Sequence, residues 1–130
     1  MPVLTVNTNV KEIPSDFKKT ATDVIAKTLG KPVSYVAIQV NSGQNMSFGG
    51  TDEPTALCDL VSIGQLSKES NKAHSKAIMN LLSEKLKISP SRVYVSFHDT
   101  HKANIGFQNT TFDDLLWALQ SLLYASHLIV

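Results

Sequence analysis

Apolar residues recur with helical spacing in two stretches. Phe17, Ala21, Val24, Ile25 and Leu29 fall at i, i+4, i+7, i+8 and i+12. His74, Ala77, Ile78, Leu81, Leu82 and Leu86 trace a second stripe of the same kind. Both stripes are backed by Lys, Asp, Glu and Ser, so each predicts a surface helix lying on something apolar. Ser15 is the expected N-cap of the first helix, with Asp16 just inside, and Gly30 then Pro32 stop it. The second helix is expected to start at Ser70 or Asn71 and to end before Pro90. Strand-like runs flank both helices, over residues 3–7 and 35–40 around the first and residues 56–63 and 92–97 around the second. Leu29-Gly30-Lys31-Pro32 and Leu86-Lys87-Ile88-Ser89-Pro90 occupy matching places, 57–58 residues apart. The pattern predicts an α+β fold: two strand–helix–strand repeats sharing one four-stranded mixed sheet, with both helices on one face. The other face is expected still to carry apolar residues and to need a cover from other subunits.

Gly49-Gly50, after Phe48, marks the link between the halves, and the apolar extension over residues 113–130 stands apart. No Asp, Glu, Lys or Arg follows Asp114, and Thr111-Phe112-Asp113-Asp114 has the form of a capping box. Its uncharged run of 16 residues is short of the roughly 20 needed to span a bilayer. It predicts a C-terminal helix packed on the domain or a neighbour, with a membrane-surface anchor as the alternative.

At 130 residues, 42% of them hydrophobic and 18% charged, the composition is that of one ordinary globular domain. A net charge of +1 offers no electrostatic footprint for nucleic acid. Cys58 is the one cysteine, which excludes an internal disulfide and reads as a small buried hydrophobe. No signal peptide or transmembrane segment is read from the chain, so a cytoplasmic protein is expected. The sequons at Asn45 and Asn109 mean little in that setting. His98 and His101 invite a metal reading, but residues three apart on a strand point to opposite faces, so no metal site is expected.

Met1-Pro2 opens the chain directly before the first strand run. A small second residue lets the initiator Met be removed, which leaves Pro2 with a free secondary amine. Burial would pull that amine's pKa down toward neutrality and make it a general base. Efficient processing of Met1 is the plainer reading of the same residues.

The chain resembles the macrophage migration inhibitory factor family of the tautomerase superfamily. The resemblance rests on Met1-Pro2, Val6-Asn7-Thr8-Asn9, Gly30-Lys31-Pro32, Tyr35-Val36-Ala37, Met46-Ser47-Phe48-Gly49-Gly50, Glu53-Pro54, Ala56-Leu57-Cys58 and Ser62-Ile63-Gly64. It continues through Leu86-Lys87-Ile88-Ser89-Pro90, Arg92-Val93-Tyr94, Asp99 and Asn109-Thr110-Thr111-Phe112. These stretches keep order and spacing over residues 1–112, the expected family-like domain. The resemblance implies a homotrimer with sites between subunits, no cofactor, and tautomerisation of small aromatic keto or enol acids such as phenylpyruvate or dopachrome-like compounds. It assigns Pro2 as the base and Lys31 as the cation for the substrate carboxylate. Ile63 would be the floor, with its N–H as a carboxylate contact. Tyr94 of an adjacent subunit would be a hydroxyl donor and wall, Tyr35 a second wall, and Ile105, Phe107 and Phe112 the apolar rim. Ser96 stands where the family often has Asn, which shortens or removes a hydrogen bond to substrate; Phe107 stands where Trp is common. The family's Cys-x-x-Cys is Thr55-Ala56-Leu57-Cys58 here, so thiol–disulfide chemistry of that kind is excluded. The resemblance also implies a second role, a cytokine-like ligand secreted without a signal peptide, with a cell-surface receptor as partner. A third reading is an interaction module whose tail covers the site.

Overall fold

The computed structural model describes residues 1–115. The main elements are β1 (Pro2–Thr8), α1 (Phe17–Leu29), β2 (Ala37–Asn41), β3 (Ala56–Ser62), α2 (Lys68–Leu86) and β4 (Val93–Asp99). The sheet order is β2-β1-β3-β4. β1 runs parallel to β2 and β3 parallel to β4, each pair joined by one helical crossover. The two repeats meet along the antiparallel pair β1–β3, where Pro2 faces Ser62 and Thr8 faces Ala56. This is the mixed α+β sheet that the repeat predicts.

The core forms because one face of every strand is apolar at period two. Leu4 and Val6 of β1 and Ala56, Cys58 and Leu60 of β3 are buried. They share one cluster with Phe17, Ala21, Ile25 and Leu29 of α1 and Ile78, Leu81, Leu82 and Leu86 of α2. Full burial of a Leu or Phe side chain contributes about 1.5–3 kcal/mol, so this cluster supplies the main drive for folding.

The open face carries apolar residues, as expected, but among polar ones. By register its rows are Ala37–Val3–Val61–His98, Gln39–Thr5–Asp59–Ser96 and Asn41–Asn7–Leu57–Tyr94. The middle row is polar throughout, and His98 Nε2 lies 3.0 Å from Asp59 Oδ1. The face is therefore mixed, with exposed Leu57 and Tyr94 at one end.

Helix starts differ from expectation for a local reason. Asp16, not Ser15, stands at the N-cap of α1 and makes no side-chain cap bond. Its carboxylate instead takes a hydrogen bond from Lys85 at 2.8 Å, which holds the carboxyl below its usual range. α2 begins three residues before Asn71, with Ser67 as cap accepting from the Ser70 N–H. Its first turn, Lys68-Glu69-Ser70, is wholly polar, so apolar spacing gives no sign of it. Tyr35 lies in a short 3₁₀ turn (Val33–Tyr35) rather than on β2.

The link between the halves is a clamped loop. Phe48 and Thr51 exchange two backbone hydrogen bonds around Gly49 and Gly50, both at positive φ (60° and 81°), the form of a type I′ turn. Arg92 donates from Nε to Pro54 O, from one terminal nitrogen to Phe48 O, and from the other to Thr51 O and Glu53 O. Its guanidinium also lies 5.5 Å from the Phe48 ring centroid. Asn9 Nδ2 donates to Asp52 O and Glu53 O, and its Oδ1 accepts from Thr55 N.

Residues 1–99 form one compact unit, and the described residues 100–115 belong to another. In the second unit β5 (Gly106–Phe107) pairs with β6 (Thr110–Thr111) across Gln108 and Asn109, both at positive φ. Residues 112–115 are helical. Thr110 Oγ1 donates to Asp114 Oδ2 at 3.1 Å, and Lys102 pairs with Asp113 at 3.8 Å. The rest of the expected C-terminal helix lies outside the described residues.

Two stability predictions follow from the matched helix ends. Gly30 sits at φ 64° and a Cβ there would meet no atom within 4 Å, so Gly30→Ala is expected to cost about 1 kcal/mol from backbone strain alone. Lys87 holds the same left-handed conformation without being glycine, at φ 59°, so Lys87→Gly is expected to stabilise by up to about 1 kcal/mol. Denaturant midpoints measure both. For the loop, Arg92→Met is expected to speed amide exchange at Phe48 and Thr51 by about tenfold or more, since four loop carbonyls, that of half-buried Phe48 among them, lose a donor; amide exchange by mass spectrometry checks it.

Candidate active site

Three of the expected site residues converge at one end of the sheet. Pro2 is the first residue of β1 and is fully buried. Proline is tolerated there because it has no N–H to give the ladder. Its register partner is Ser62, the last residue of β3, so Ile63 follows directly beside the N-terminus. Lys31 arrives from the end of α1. There the N–H of Lys31 bonds to Ala26 O at 3.0 Å and the N–H of Gly30 to Lys27 O at 3.4 Å. This Schellman closure needs the left-handed Gly30 and turns the chain back toward the sheet. Lys31 Nζ then donates to Ile63 O at 3.2 Å.

The electrostatics of this corner act on the terminal amine. Burial first, and the Lys31 charge second, push the Met1 α-amine down from 8.0 to about 6. Burial disfavours the ammonium because it loses water, and a neighbouring cation disfavours it by repulsion. An amine in this corner is therefore largely neutral at pH 7.

The loop after β3 is held by side chains of the strand ends and of α2. Ser62 Oγ donates to Gly64 O at 2.9 Å, and the Gly64 N–H donates to Asp99 Oδ1 at 3.1 Å. Gln65 O accepts from His74 Nε2 at 2.8 Å and from Ser70 Oγ at 3.2 Å. His74 and Ser70 were not among the expected site residues. The signal for His74 was a titratable side chain on the apolar stripe of a helix; for Ser70, nothing in the sequence pointed to the loop.

Tyr35 is half-buried, in the turn that begins two residues after Lys31. Tyr94 stands elsewhere. Its row contains Asn7, five residues along β1 from Pro2, a separation of about 16 Å at about 3.3 Å per residue. It projects from the open face, 66% exposed, and its ring meets Phe48 at 5.0 Å between centroids. Ser96 lies in the middle row of that same face, paired with Asp59. Within one chain, neither Tyr94 nor Ser96 joins the Pro2 corner. Ile105, Phe107 and Phe112 gather in the second unit. Phe107 and Phe112 are stacked at 5.1 Å, and the Phe112 N–H donates to Ile105 O at 3.0 Å.

Cys58 is buried at the β1–β3 interface, and burial, with Asp59 beside it, pushes its thiol up to about 12. Such a thiol is inert near neutrality. Thr55, where a second cysteine would be needed, is buried and its hydroxyl donates to Arg92 O at 2.7 Å. Among the described residues no group of three or more His, Cys, Asp or Glu side chains could hold a metal ion. No helix among them is long and apolar enough to cross a membrane.

Comparison with known proteins finds relatives over the same stretch of chain. The family model described as macrophage migration inhibitory factor matches residues 1–113. The mouse macrophage migration inhibitory factor is 43% identical over 114 residues, covering 86% of this chain and 99% of the relative. A homolog from Brugia malayi is 44% identical with the same coverage. Among solved structures, the macrophage migration inhibitory factor of Trichinella spiralis superposes with a TM-score of 0.81 at 37% identity, covering 84% of this chain and 98% of that one. A homologue from Prochlorococcus marinus gives the same TM-score at 26% identity, over 85% and 98% of the two chains. With the matched region running through both strand–helix–strand repeats and including Pro2, Lys31 and Ile63, the chain belongs to the macrophage migration inhibitory factor family.

Proposed function

We propose that this protein is a keto–enol tautomerase for small aromatic keto acids of the phenylpyruvate or dopachrome type, with the Pro2 amine as its base once Met1 is removed. The observation that carries this reading is the corner itself, in which fully buried Pro2 lies beside Ile63 and Lys31 Nζ reaches Ile63 O at 3.2 Å; burial first and Lys31 second push the Met1 α-amine there down to about 6. After Met1 leaves, the amine moves onto a residue that is itself fully buried. The neutral secondary amine takes the α-proton of the keto acid, and the electron pair of the C–H bond flows to the carbonyl oxygen. The same proton, or one from water, then neutralises the enolate oxygen. Lys31 serves twice. Its ammonium attracts the substrate carboxylate and developing enolate, and it disfavours protonation of the base. The N–H of Ile63 is a second donor in that corner, and Tyr35 is a wall close in sequence to Lys31.

The about 16 Å along the strands between Pro2 and Tyr94 supports a site shared between copies of the chain, in which Tyr94 and Ser96 of one subunit serve the Pro2 of the next. A homotrimer is the assembly proposed. Ile105, Phe107 and Phe112 are proposed as its apolar rim. A second role as a cytokine-like ligand is favoured by the relatives' name, macrophage migration inhibitory factor; presence in the cytoplasm and secretion are proposed with it, and a receptor would then read the assembled surface.

Two measurements test the catalytic reading. With Met1 removal confirmed by intact mass, Pro2→Gly is expected to lower kcat for phenylpyruvate tautomerisation by about 10²–10⁴-fold, the usual worth of a general base. Activity that survives this change would refute the proline base, and loss of catalysis with intact receptor-directed activity would separate the two roles. The second is a pH profile. The active amine is neutral, so the rate falls as pH drops through its pKa. Lys31→Met removes one of the two causes that lower it, so the inflection is expected to move up while KM for the carboxylate rises. An unmoved inflection would show that Lys31 does not act on the base.

A further inference from the structure

His74 is a buried ionisable side chain that the proposed reaction does not use. It lies on the inward face of α2 and is 3% exposed. A buried polar ring must find partners, and both of its nitrogens do. Nε2 lies 2.8 Å from Gln65 O and Nδ1 lies 2.9 Å from Thr28 Oγ1. A carbonyl only accepts, so Nε2 carries the proton; in the neutral ring Nδ1 then accepts from the Thr28 hydroxyl. The ring also meets Phe97 of β4, with centroids 6.3 Å apart.

These two partners belong to the two segments that meet at the proposed carboxylate corner. Thr28 is in the last turn of α1, three residues before Lys31. Gln65 is two residues after Ile63 and is not glycine, yet it has φ 63°. A left-handed non-glycine residue persists only where its surroundings hold it. Here the hold is on its carbonyl, with His74 as the shorter of the two donors. Gly64 just before it is also left-handed, at φ 74°. The backbone that follows Ile63 is therefore held from α2 at Gln65 as well as from the strand ends at Gly64.

We propose that His74 is a positioning residue: it ties the end of α1 to the loop after β3, and so sets the spacing between Lys31 and Ile63 that grips a substrate carboxylate. The proposal rests on the tautomerase reading for its substrate. It separates two jobs in one corner. The base sits on β1, whose register His74 does not touch, whereas the carboxylate grip depends on two segments that His74 bridges from α2 through both ring nitrogens, beside the direct bond from Lys31 to Ile63 O. Loss of His74 should weaken binding of the acid and leave proton transfer nearly intact.

The test compares His74→Phe, which keeps ring packing and removes both hydrogen bonds, with His74→Gln, which can donate to Gln65 O and accept from Thr28. For His74→Phe, KM for phenylpyruvate is expected to rise about tenfold, the scale of one lost buried hydrogen bond. Its kcat should change less than about threefold, KM for methyl phenylpyruvate should stay unchanged because the ester offers no carboxylate, and amide exchange at residues 63–65 should quicken. His74→Gln should restore most of the acid-to-ester preference. Equal losses for acid and ester, or His74→Phe with unchanged exchange and KM, would overturn the proposal. If His74→Phe does not fold, Thr28→Val removes the α1 tie alone. It should move the acid-to-ester ratio in the same direction; an unmoved ratio would overturn the proposal. Wild-type protein that lacks tautomerase activity would refute the functional reading; His74 is then decided by the exchange at residues 63–65 and by binding of phenylpropionate to wild type and His74→Phe.

Discussion

The antiparallel register of β1 on β3 is the constraint from which the rest of the molecule follows. It joins the two strand–helix–strand repeats, buries the N-terminal strand at the centre of the sheet and brings Pro2 opposite Ser62. A slip of one residue would turn Leu4, Val6 and Leu60 out of the core. The inner faces of β1 and β3 are buried at every second position, so the register that satisfies the core also fixes the chemistry. The N-terminus cannot be moved from the loop at Ile63 without unpacking the hydrophobic cluster.

Around that fixed point, each component of the corner comes from a separate local device. Lys31 is delivered by a glycine-dependent helix stop, Ile63 by the end of a strand, and the loop beyond it by side-chain bonds from Asp99, Ser70 and His74. The amine is disfavoured as an ammonium by the burial that stabilises the fold, and only secondarily by the neighbouring cation. Stability and reactivity thus draw on the same feature. At the far end of the sheet a different logic holds. Asn9, Thr55 and Arg92 satisfy loop carbonyls and amides there, so much of what makes that stretch family-like is a clamp. That clamp keeps Phe48 against the exposed Tyr94.

The mixed polarity of the open face shows where pattern reading stops. Thr5, Asn7, Gln39, Asp59 and Ser96 are the alternate residues of strands whose inner positions are strongly apolar. Alternation tells which residues share a face. It does not tell whether an outer face meets bulk solvent, a partner or an enclosed space, because that depends on neighbours outside the strand. The same limit explains the helix starts. Ser67 is recognised as a cap only when its side chain meets the Ser70 amide, since the polar turn between carries no periodic signal.

The repeat, the element types, the core stripe, the stop at Gly30, the inertness of Cys58 and the family to which Pro2, Lys31 and Ile63 point were all legible in the order of residues. Each depends on local periodicity, on the steric demands of one residue or on motif spacing, and local chemistry is written directly into the chain. Tertiary structure alone decided three things. It gathered the terminal amine, Lys31 and Ile63 into one corner, kept Tyr94 and Ser96 away from it within a single chain, and made His74 a link between two segments 37 residues apart, Thr28 and Gln65. These are contacts between residues distant in sequence, and their distances exist only once the β1–β3 register and the packing of both helices have closed the fold.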